Sequence, residues 1–523
     1  MKMVKSLLLG TAAGLVAVAG AQAADMPVKA APVQYVKICT LYGDGFYYIP
    51  GTDICLKIGG YVRGEYGYNY GASLTNGPWQ APSGYMDRFD GQDFIMRTRA
   101  YAWFDSRQQT EYGTLRTYLQ LGVNYDSPAV TSTNFNANRA FIQFAGFTIG
   151  TAQSFYDFYS SPASSYFGPN SSDSGDSGWK VFAYTQQYGN GFSATFSFEE
   201  PRHFATTNPQ SGIFNTQAAV NGFVLGGLSP TVADRAKVRF PDIVQNWRVD
   251  QAWGSAQLMV AAHDASAGYY AANTATPAGS LCAIGANQAG TLTGSETCGH
   301  PADKLGWAVG GGARLNAYGG DYFQFQVNYT QGATRYAAFT NPNAMSPVAF
   351  NGQNLGYGIF SDGIFSTQTG EVQLTTVWGV NAAYDHLWLP NFRTSIYGSY
   401  IANRYNDTAN NAICAAQLNA NGGAIQFAGG QSIGTAAFPG TSNVAVCNNN
   451  FNWWQIGSRT QYNFTPWFYV GFDVIYQKLE TASRDAVVTY TAAAGTAKPT
   501  AIYTIQDQDN YGLRIRVHRD IVP

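Results

Sequence analysis

Arginines at strand-like spacing are the first residues in this sequence whose placement points to chemistry. Arg97 and Arg99 lie two apart in FIMRTRAYAW, Arg116 sits in TLRTYLQ and Arg139 in NANRAF. Residues two apart on a strand project to one face about 7 Å from each other. The two guanidiniums therefore make a local positive strip, with Phe94, Met96, Thr98 and Ala100 on the opposite face. Between Phe155 and Gly178 the run FYDFYSSPASSYFGPNSSDSGDSG carries Asp157, Asp173 and Asp176 among aromatic and turn-forming residues. Cations set against carboxylates across a narrow gap create a transverse field, which orients dipolar solutes and sorts ions by sign. The plainer alternative is that the arginines are solvated wall residues and the acids lie at an exposed loop tip.

Other chemistry finds less support. Gly175-Asp176-Ser177-Gly178 is similar to the nucleophile loop of trypsin-like proteases, and Ala261-Ala262-His263 to their histidine segment, but in reversed order. Triads are defined by geometry rather than order. No other protease feature accompanies the two fragments, so an enzyme is not expected. The five histidines, His203, His263, His300, His386 and His518, are scattered, and no Cys/His spacing fits a metal. Neither a metal nor another cofactor is expected.

The six cysteines fall into sequence neighbours that bracket Gly-, Asn-, Ala- or Pro-rich stretches. Local bridges are expected for Cys39 with Cys55, Cys282 with Cys298 and Cys414 with Cys447, as suits an oxidising compartment.

The elements that would hold these residues follow from the composition and the period. Lys2 and Lys5, the apolar stretch Leu7 to Gly20 and Ala21-Gln22-Ala23 read as a cleaved export signal, residues 1–23. No later apolar run is long enough for a membrane-spanning helix. Only 12% of the residues are charged and 15% are aromatic, with 58 glycines, yet mean hydropathy is slightly negative. Apolar content so dispersed fits strands that alternate lipid-facing and lumen-facing residues. Net charge is −2, which gives no reason to expect a nucleic-acid partner.

Alternation recurs along the chain. Leu56, Ile58, Gly60 and Val62 interleave with Lys57, Gly59, Tyr61, Arg63 and Glu65, so that charge falls on one face. Phe323, Phe325, Val327 and Tyr329 interleave with Gln324, Gln326 and Asn328, and Tyr511, Leu513, Ile515 and Val517 with Arg514, Arg516 and His518. The pattern predicts sixteen antiparallel strands between residues 55 and 519, with eighteen as the alternative because the strands between 180 and 260 are harder to place, joined alternately by short turns and long loops. That is an all-β transmembrane barrel, residues 55–523, preceded by an N-terminal segment, 24–54. Barrels of this size hold an aqueous channel. Lys57, Arg63 and Glu65 would face its lumen. Tyr66, Tyr68, Trp103, Trp253, Trp307, Trp388, Trp453, Trp454 and Trp467 are expected in interfacial girdles.

The chain resembles outer-membrane porins of the α-proteobacterial, rhizobial type. The resemblance rests on CTLYGDGFYYIPGTDICLKIGGYVR at 39–63, on EYGTLRTYLQ at 111–120 and on the strand pattern. It implies a homotrimer in the outer membrane, in contact with its lipid and lipopolysaccharide, and passive diffusion of small hydrophilic solutes and ions. It also implies a third external loop folded into the lumen, which would set Asp157, Asp173 and Asp176 against Arg97, Arg99, Arg116 and Arg139 at a constriction. Many such barrels end on an aromatic residue, whereas this chain ends Ile521-Val522-Pro523. An oligosaccharide-selective channel is the nearest alternative. It would need an aromatic track, for which Tyr61, Tyr101, Tyr118 and Tyr469 look too scattered. An outer-membrane enzyme or a surface adhesin are the alternatives of other classes.

Overall fold

A computed structural model describes residues 37–68, 94–127, 134–159, 164–168, 178–202, 212–216, 239–268, 301–338, 353–365, 369–419, 447–490 and 501–521, with short pieces at 223–224, 229–230, 348–351 and 425–426. The expected signal, Cys282, Cys298, Asp173, Asp176, His203 and His300 lie outside the described residues. The chain divides into two units, one ending at Lys57 and one running from Ile58, so that the strand Cys55–Tyr68 begins in the first and continues in the second.

In the first unit, Cys39 is bonded to Cys55, and the pair packs with Phe46 in a small buried cluster. Tyr47 and Tyr48 pair with Leu56 and Cys55. Lys57 Nζ donates to the Asp44 carbonyl at 2.9 Å.

The second unit is a closed antiparallel sheet. Its strands are β1 (Cys55–Tyr68), β2 (Phe94–Thr110), β3 (Gly113–Ser127), β4 (Asn134–Phe144), β5 (Phe147–Ala152), β6 (Trp179–Gly189), β7 (Phe192–Glu199) and β8 (Asp242–Gln251). They continue as β9 (Gly254–Asp264), β10 (Leu305–Asn316), β11 (Tyr322–Gln331), β12 (Thr376–Leu389), β13 (Phe392–Arg404), β14 (Phe451–Thr465), β15 (Phe468–Glu480) and β16 (Gln508–Asp520). Each strand pairs with its sequence neighbour, and β16 pairs back onto β1, with Tyr61 opposite Asp520 and Tyr68 opposite Leu513. Closure leaves no edge strand, so the backbone can satisfy its hydrogen bonds in lipid.

The burial pattern is inverted relative to a soluble protein. Gln324, Gln326, Asn328, Asp473, Arg514 and Arg516 are buried inside, while Phe323, Val327, Tyr329, Phe472, Val474 and Ile515 are exposed outside. All sixteen expected strands are present. Among the described residues no helix is long and apolar enough to cross a membrane.

Seven short turns alternate with eight long connections. Ala145-Gly146 joins β4 to β5 with positive φ at both residues, 48° and 88°, the geometry that matches strand twist in a two-residue hairpin. The turn before β11 is held by Asp321, whose carboxylate accepts from Leu387 N at 2.8 Å, Tyr384 Oη at 2.6 Å and His386 Nδ1 at 2.7 Å.

The long connections at the other end carry structure of their own. Val348–Asn351, Asn354–Tyr357, Gly363–Phe365, Ile425–Gln426, Val487–Tyr490 and Ala501–Ile505 contribute to small sheets. Helix α1 (Asp407–Asn419) is capped by Asn406, whose Oδ1 accepts from Ala409 N at 2.8 Å, and is fastened by the Cys414–Cys447 disulfide. Tyr357, Ile359, Phe360, Ile364, Phe365 and Ile413 are buried there.

Most expected girdle members are exposed: Tyr66, Tyr68, Trp253, Trp307, Trp388 and Trp467. Two depart from that expectation. Trp453 is fully buried on the inward face of β14, and Trp103 shares the parity of Arg99 and Tyr101, with Gly59 leaving the space its ring occupies.

Candidate functional site

The described residues of the third long connection, 153–159 and 164–168, lie in the lumen and are fastened to inward-facing side chains of β7 to β16. Glu199 of β7 accepts from Ser154 Oγ and, at 2.9 Å, from Phe155 N. The Phe155 carbonyl accepts from Asn246 Nδ2 at 2.7 Å and Gln257 Nε2 at 3.2 Å. Gln326 Oε1 accepts from Tyr159 N at 2.8 Å. On the far side Asp473 accepts from Ser165 Oγ at 3.1 Å and from Tyr166 N, the Tyr166 carbonyl accepts from Arg514, and Gln455 Nε2 donates to Gly168 O at 2.9 Å.

Glycines make room for the loop's rings. A Cβ on Gly310 would stand 2.9 Å from Tyr156 Oη, on Gly312 2.7 Å from Phe158 Cδ1, and on Gly471 1.8 Å from Tyr166 Oη.

This arrangement corrects the expectation for Asp157. Its carboxylate meets Arg202 at 2.8 Å, and neither side chain retains exposed surface. It presents no charge to the channel, and belongs instead to the anchor of the loop. Arg202 also faces the rings of Tyr336, Trp179 and Tyr156. Beside it His263 Nδ1 lies 2.8 Å from Asp242 and Nε2 3.4 Å from Asp362, while Tyr336 Oη donates to Asp242 at 2.7 Å. Burial works to raise the Asp362 carboxyl, but hydrogen bonds from His263 and Thr334 hold it below its ordinary range. With both ring nitrogens facing carboxylates, His263 is a strut between β8, β9 and the 332–375 connection, and Ser177 lies outside the described residues. Among the described residues no group of acids, histidines or cysteines is placed to hold a metal.

The basic residues gather on the wall opposite the anchor. Arg99 Nε donates to Asn124 Oδ1 at 2.6 Å and its guanidinium lies 5.6 Å from the Tyr101 ring. Arg97 shares its parity, two residues nearer the long-loop end. Arg116 reaches Gln143 at 2.9 Å and faces the stacked rings of Tyr118 and Phe141. Its charge is balanced by Asp105, at 2.9 Å, which also takes Arg107 at 2.8 Å. Arg139 donates to the Asn138 carbonyl at 2.8 Å. Arg63 lies against Tyr61, and its Nε donates to His518 Nδ1 at 3.3 Å. Glu65 is buried against Arg516, 2.5 Å away.

Sequence reasoning missed Asp105, although it shares parity with Arg97 and Arg99 and so was findable. Arg202 carried no such signal, because it follows β7 in an irregular connection.

Residues 25–513 match the family described as Porin subfamily (Porin_2). The chain belongs to this porin family. Porin Omp2a of Brucella ovis is 34% identical over 218 residues, 38% of this chain and 59% of that protein. Porin Omp2b of Brucella suis biovar 1 (strain 1330) is 31% identical over 269 residues, 49% of this chain and 65% of that protein. The chain thus spans under two thirds of the length of these curated relatives. The outer membrane channel DcaP of Acinetobacter baumannii superposes with a TM-score of 0.50 at 12% identity, covering 91% of this chain and 99% of that one, a likeness of fold. Membership of this family places the porin in the cell outer membrane.

Proposed function

We propose that this porin forms a water-filled, passive diffusion pore for small hydrophilic solutes and ions. The observation that carries the reading is the route of the third loop, which is fastened along β7 to β16 opposite the arginine-bearing wall of β1 to β4. Solutes then pass between the loop and that wall. Among described side chains the wall sets Arg63, Arg97, Arg99, Arg107, Arg116 and Arg139 against Glu65 and Asp105, so anions are favoured. In a planar bilayer the purified protein should give stepwise, ohmic conductance, and a silent bilayer would refute the pore.

A homotrimer is part of this proposal. The outward face of β1 to β3 carries Gly60, Gly64, Thr98, Ala100, Ala102 and Thr117, short side chains that suit close approach of a second copy. Contact with outer-membrane lipid and lipopolysaccharide follows from the exposed apolar band and its flanking aromatics.

One observation favours a substrate-selective variant. Tyr61 stacks on Tyr101 at 5.4 Å, and His518 bridges Tyr61 at 4.8 Å to Tyr469 at 4.7 Å. Tyr166 of the third loop continues the run at 6.4 Å. Residues too scattered in sequence are thus neighbours on the wall. Saturable block of conductance by an oligosaccharide would support selectivity, and linear permeation would argue for the general pore.

A further inference from the structure

Inside the barrel, arginines and rings recur as pairs on one strand. Arg63 lies 4.7 Å from the centroid of Tyr61, Arg99 5.6 Å from Tyr101 and Arg116 5.2 Å from Tyr118, and in each pair the partners are two apart in sequence. Strand β1 runs towards the long-loop end and β2 runs back from it, so Arg63 and Arg99 both stand on the long-loop side of Tyr61 and Tyr101. Those two rings stack at 5.4 Å. The guanidiniums thus rise side by side above one stacked pair.

The rings are held in place from their flanks. Gly122 leaves the space for Tyr101, since a Cβ there would stand 2.4 Å from the ring, and Asn138 Nδ2 donates to Tyr101 Oη at 2.9 Å. His518 lies between Tyr61 and Tyr469, at 4.8 and 4.7 Å, with Arg63 Nε on its Nδ1 and Asp520 3.0 Å from its Nε2. The Nη groups of Arg63 meet no hydrogen-bond partner among the described residues. Nearby carboxylates are engaged by other cations, Glu65 by Arg516 at 2.5 Å and Asp105 by Arg107 and Arg116.

We propose that Arg63 and Arg99, with Tyr61, His518 and Tyr469, form a saturable subsite on the pore wall for aromatic carboxylates. This deepens the reading of a water-filled pore with a basic wall, and rests on it. A guanidinium is planar and weakly hydrated. With one face against a tyrosine, its other face can stack on the ring of a solute while its N–H edge takes the carboxylate in two parallel hydrogen bonds.

The chemistry of the strip selects this class of solute over its neighbours. Arginine offers donors and no acceptor, so the strip favours a solute that accepts, whereas a neutral sugar also needs acceptors for its hydroxyl protons. An aliphatic anion would meet the same charges but would leave the rings without a planar partner. Tyr166 of the third loop stacks on Tyr469 at 6.4 Å, so the loop borders the strip and a solute passing between loop and wall meets it.

The test uses the full-length protein in planar bilayers in potassium chloride at neutral pH, reading the probe concentration that halves the current. The probes are benzoate, cyclohexanecarboxylate, benzyl alcohol and maltotriose. In the wild type benzoate should half-block at a concentration roughly ten-fold below those of cyclohexanecarboxylate, which has the charge without the flat ring, and benzyl alcohol, which has the ring without the charge. Tyr61→Leu should bring the benzoate and cyclohexanecarboxylate values together. Arg63→Lys with Arg99→Lys should do the same, because it keeps both charges but removes the planar faces. Tyr61→Phe, which keeps the ring, should retain the wild-type ratio. Equal half-blocking concentrations of benzoate and cyclohexanecarboxylate in the wild type overturn the proposal, as does a ratio that survives both Tyr61→Leu and the double lysine variant. So does maltotriose blocking at a lower concentration than benzoate, which would assign the rings to neutral sugars. Calorimetric titration of benzoate into the protein in detergent, against micelles alone, reads the site without conduction. Saturable heat beside a silent bilayer would refute the pore alone, and absence of saturable heat would overturn the site.

Discussion

Asp157 and Arg202 meet at 2.8 Å with both side chains enclosed, one from the third loop and one from the connection after β7. Each charge is tolerable there only because of the other. Removing one partner of a buried pair costs roughly 3–5 kcal/mol, since the survivor keeps its desolvation cost without its attraction. Asp157→Ala should therefore loosen the third loop while the barrel stays intact. Limited proteolysis should cut within 153–178, and single-channel current should become noisy. Replacing both residues, as Asp157→Leu with Arg202→Met, should restore a quiet channel; a quiet single variant would show that the pair does not anchor the loop.

The glycines under the third loop allow a test by steric means. A Cβ at Gly471 would stand 1.8 Å from Tyr166 Oη, so Gly471→Val cannot coexist with the loop's present path. The loop should lift on that side, and conductance should rise. Gly64, whose Cβ would meet nothing within 4 Å, serves as the control, and Gly64→Ala should leave conductance unaltered.

Strand alternation was legible in the sequence because lipid and water impose a strict period of two, and a slip of one residue would exchange the faces. Sixteen strands and the inward parity of Arg97, Arg99 and Arg116 followed from that period alone. The role of Asp157 did not. Its partner Arg202 lies beyond two further strands, in a stretch with no period to place it, and ion pairing across a closed barrel depends on which strands face each other. The aromatic run from Tyr101 to Tyr469 was hidden for a related reason. Its members come from β1 and β2 at one end of the chain and β15 and β16 at the other, and the two pairs meet only when the barrel closes.

Disulfide Cys414–Cys447 fastens α1 to the connection that leads into β14. The barrel's own stability comes from its closed ladder of hydrogen bonds. Reduction, or Cys414→Ser with Cys447→Ser, should expose residues 407–450 to protease and leave heat-resistant β-structure unchanged by circular dichroism. Loss of the barrel on reduction would contradict this division.

Asp321 predicts an acid-sensitive turn. Hydrogen bonds from Leu387 N, Tyr384 and His386 lower its carboxyl from 3.8 to about 2. A depressed carboxylate contributes stability that is present above its unfolded value and lost as pH falls through the folded one. Relative to the intrinsic exchange rate at each pH, hydrogen exchange at Leu387 N should thus stay slow above about pH 4 and quicken towards pH 2. In Asp321→Asn the acid-dependent quickening should vanish; its persistence would assign the effect to another group.

Ion selectivity tests the basic wall directly. Arg97 and Arg99 project to one face, because Phe94 and Met96 before them and Thr98 between them are exposed on the other. Arg99 is directed by Asn124 and Tyr101, so its guanidinium is held at the wall rather than swept through solvent. Asp105 neutralises part of the charge of Arg107 and Arg116, and Arg97 and Arg99 add two further positive charges to the inward face of β2. Two such charges in a narrow passage bias permeation by roughly 1 kcal/mol, a several-fold change in anion over cation permeability, with screening over about 8 Å at physiological salt. Arg97→Glu with Arg99→Glu should therefore shift the zero-current potential in a salt gradient towards cation preference. The shift should shrink as salt rises, because the Debye length falls, and the folded barrel should persist because both positions face water. A double variant that conducts with the wild-type reversal potential at low salt would remove the two arginines from the selectivity of the pore, leaving Arg63, Arg116 and Arg139 to be tested in their place.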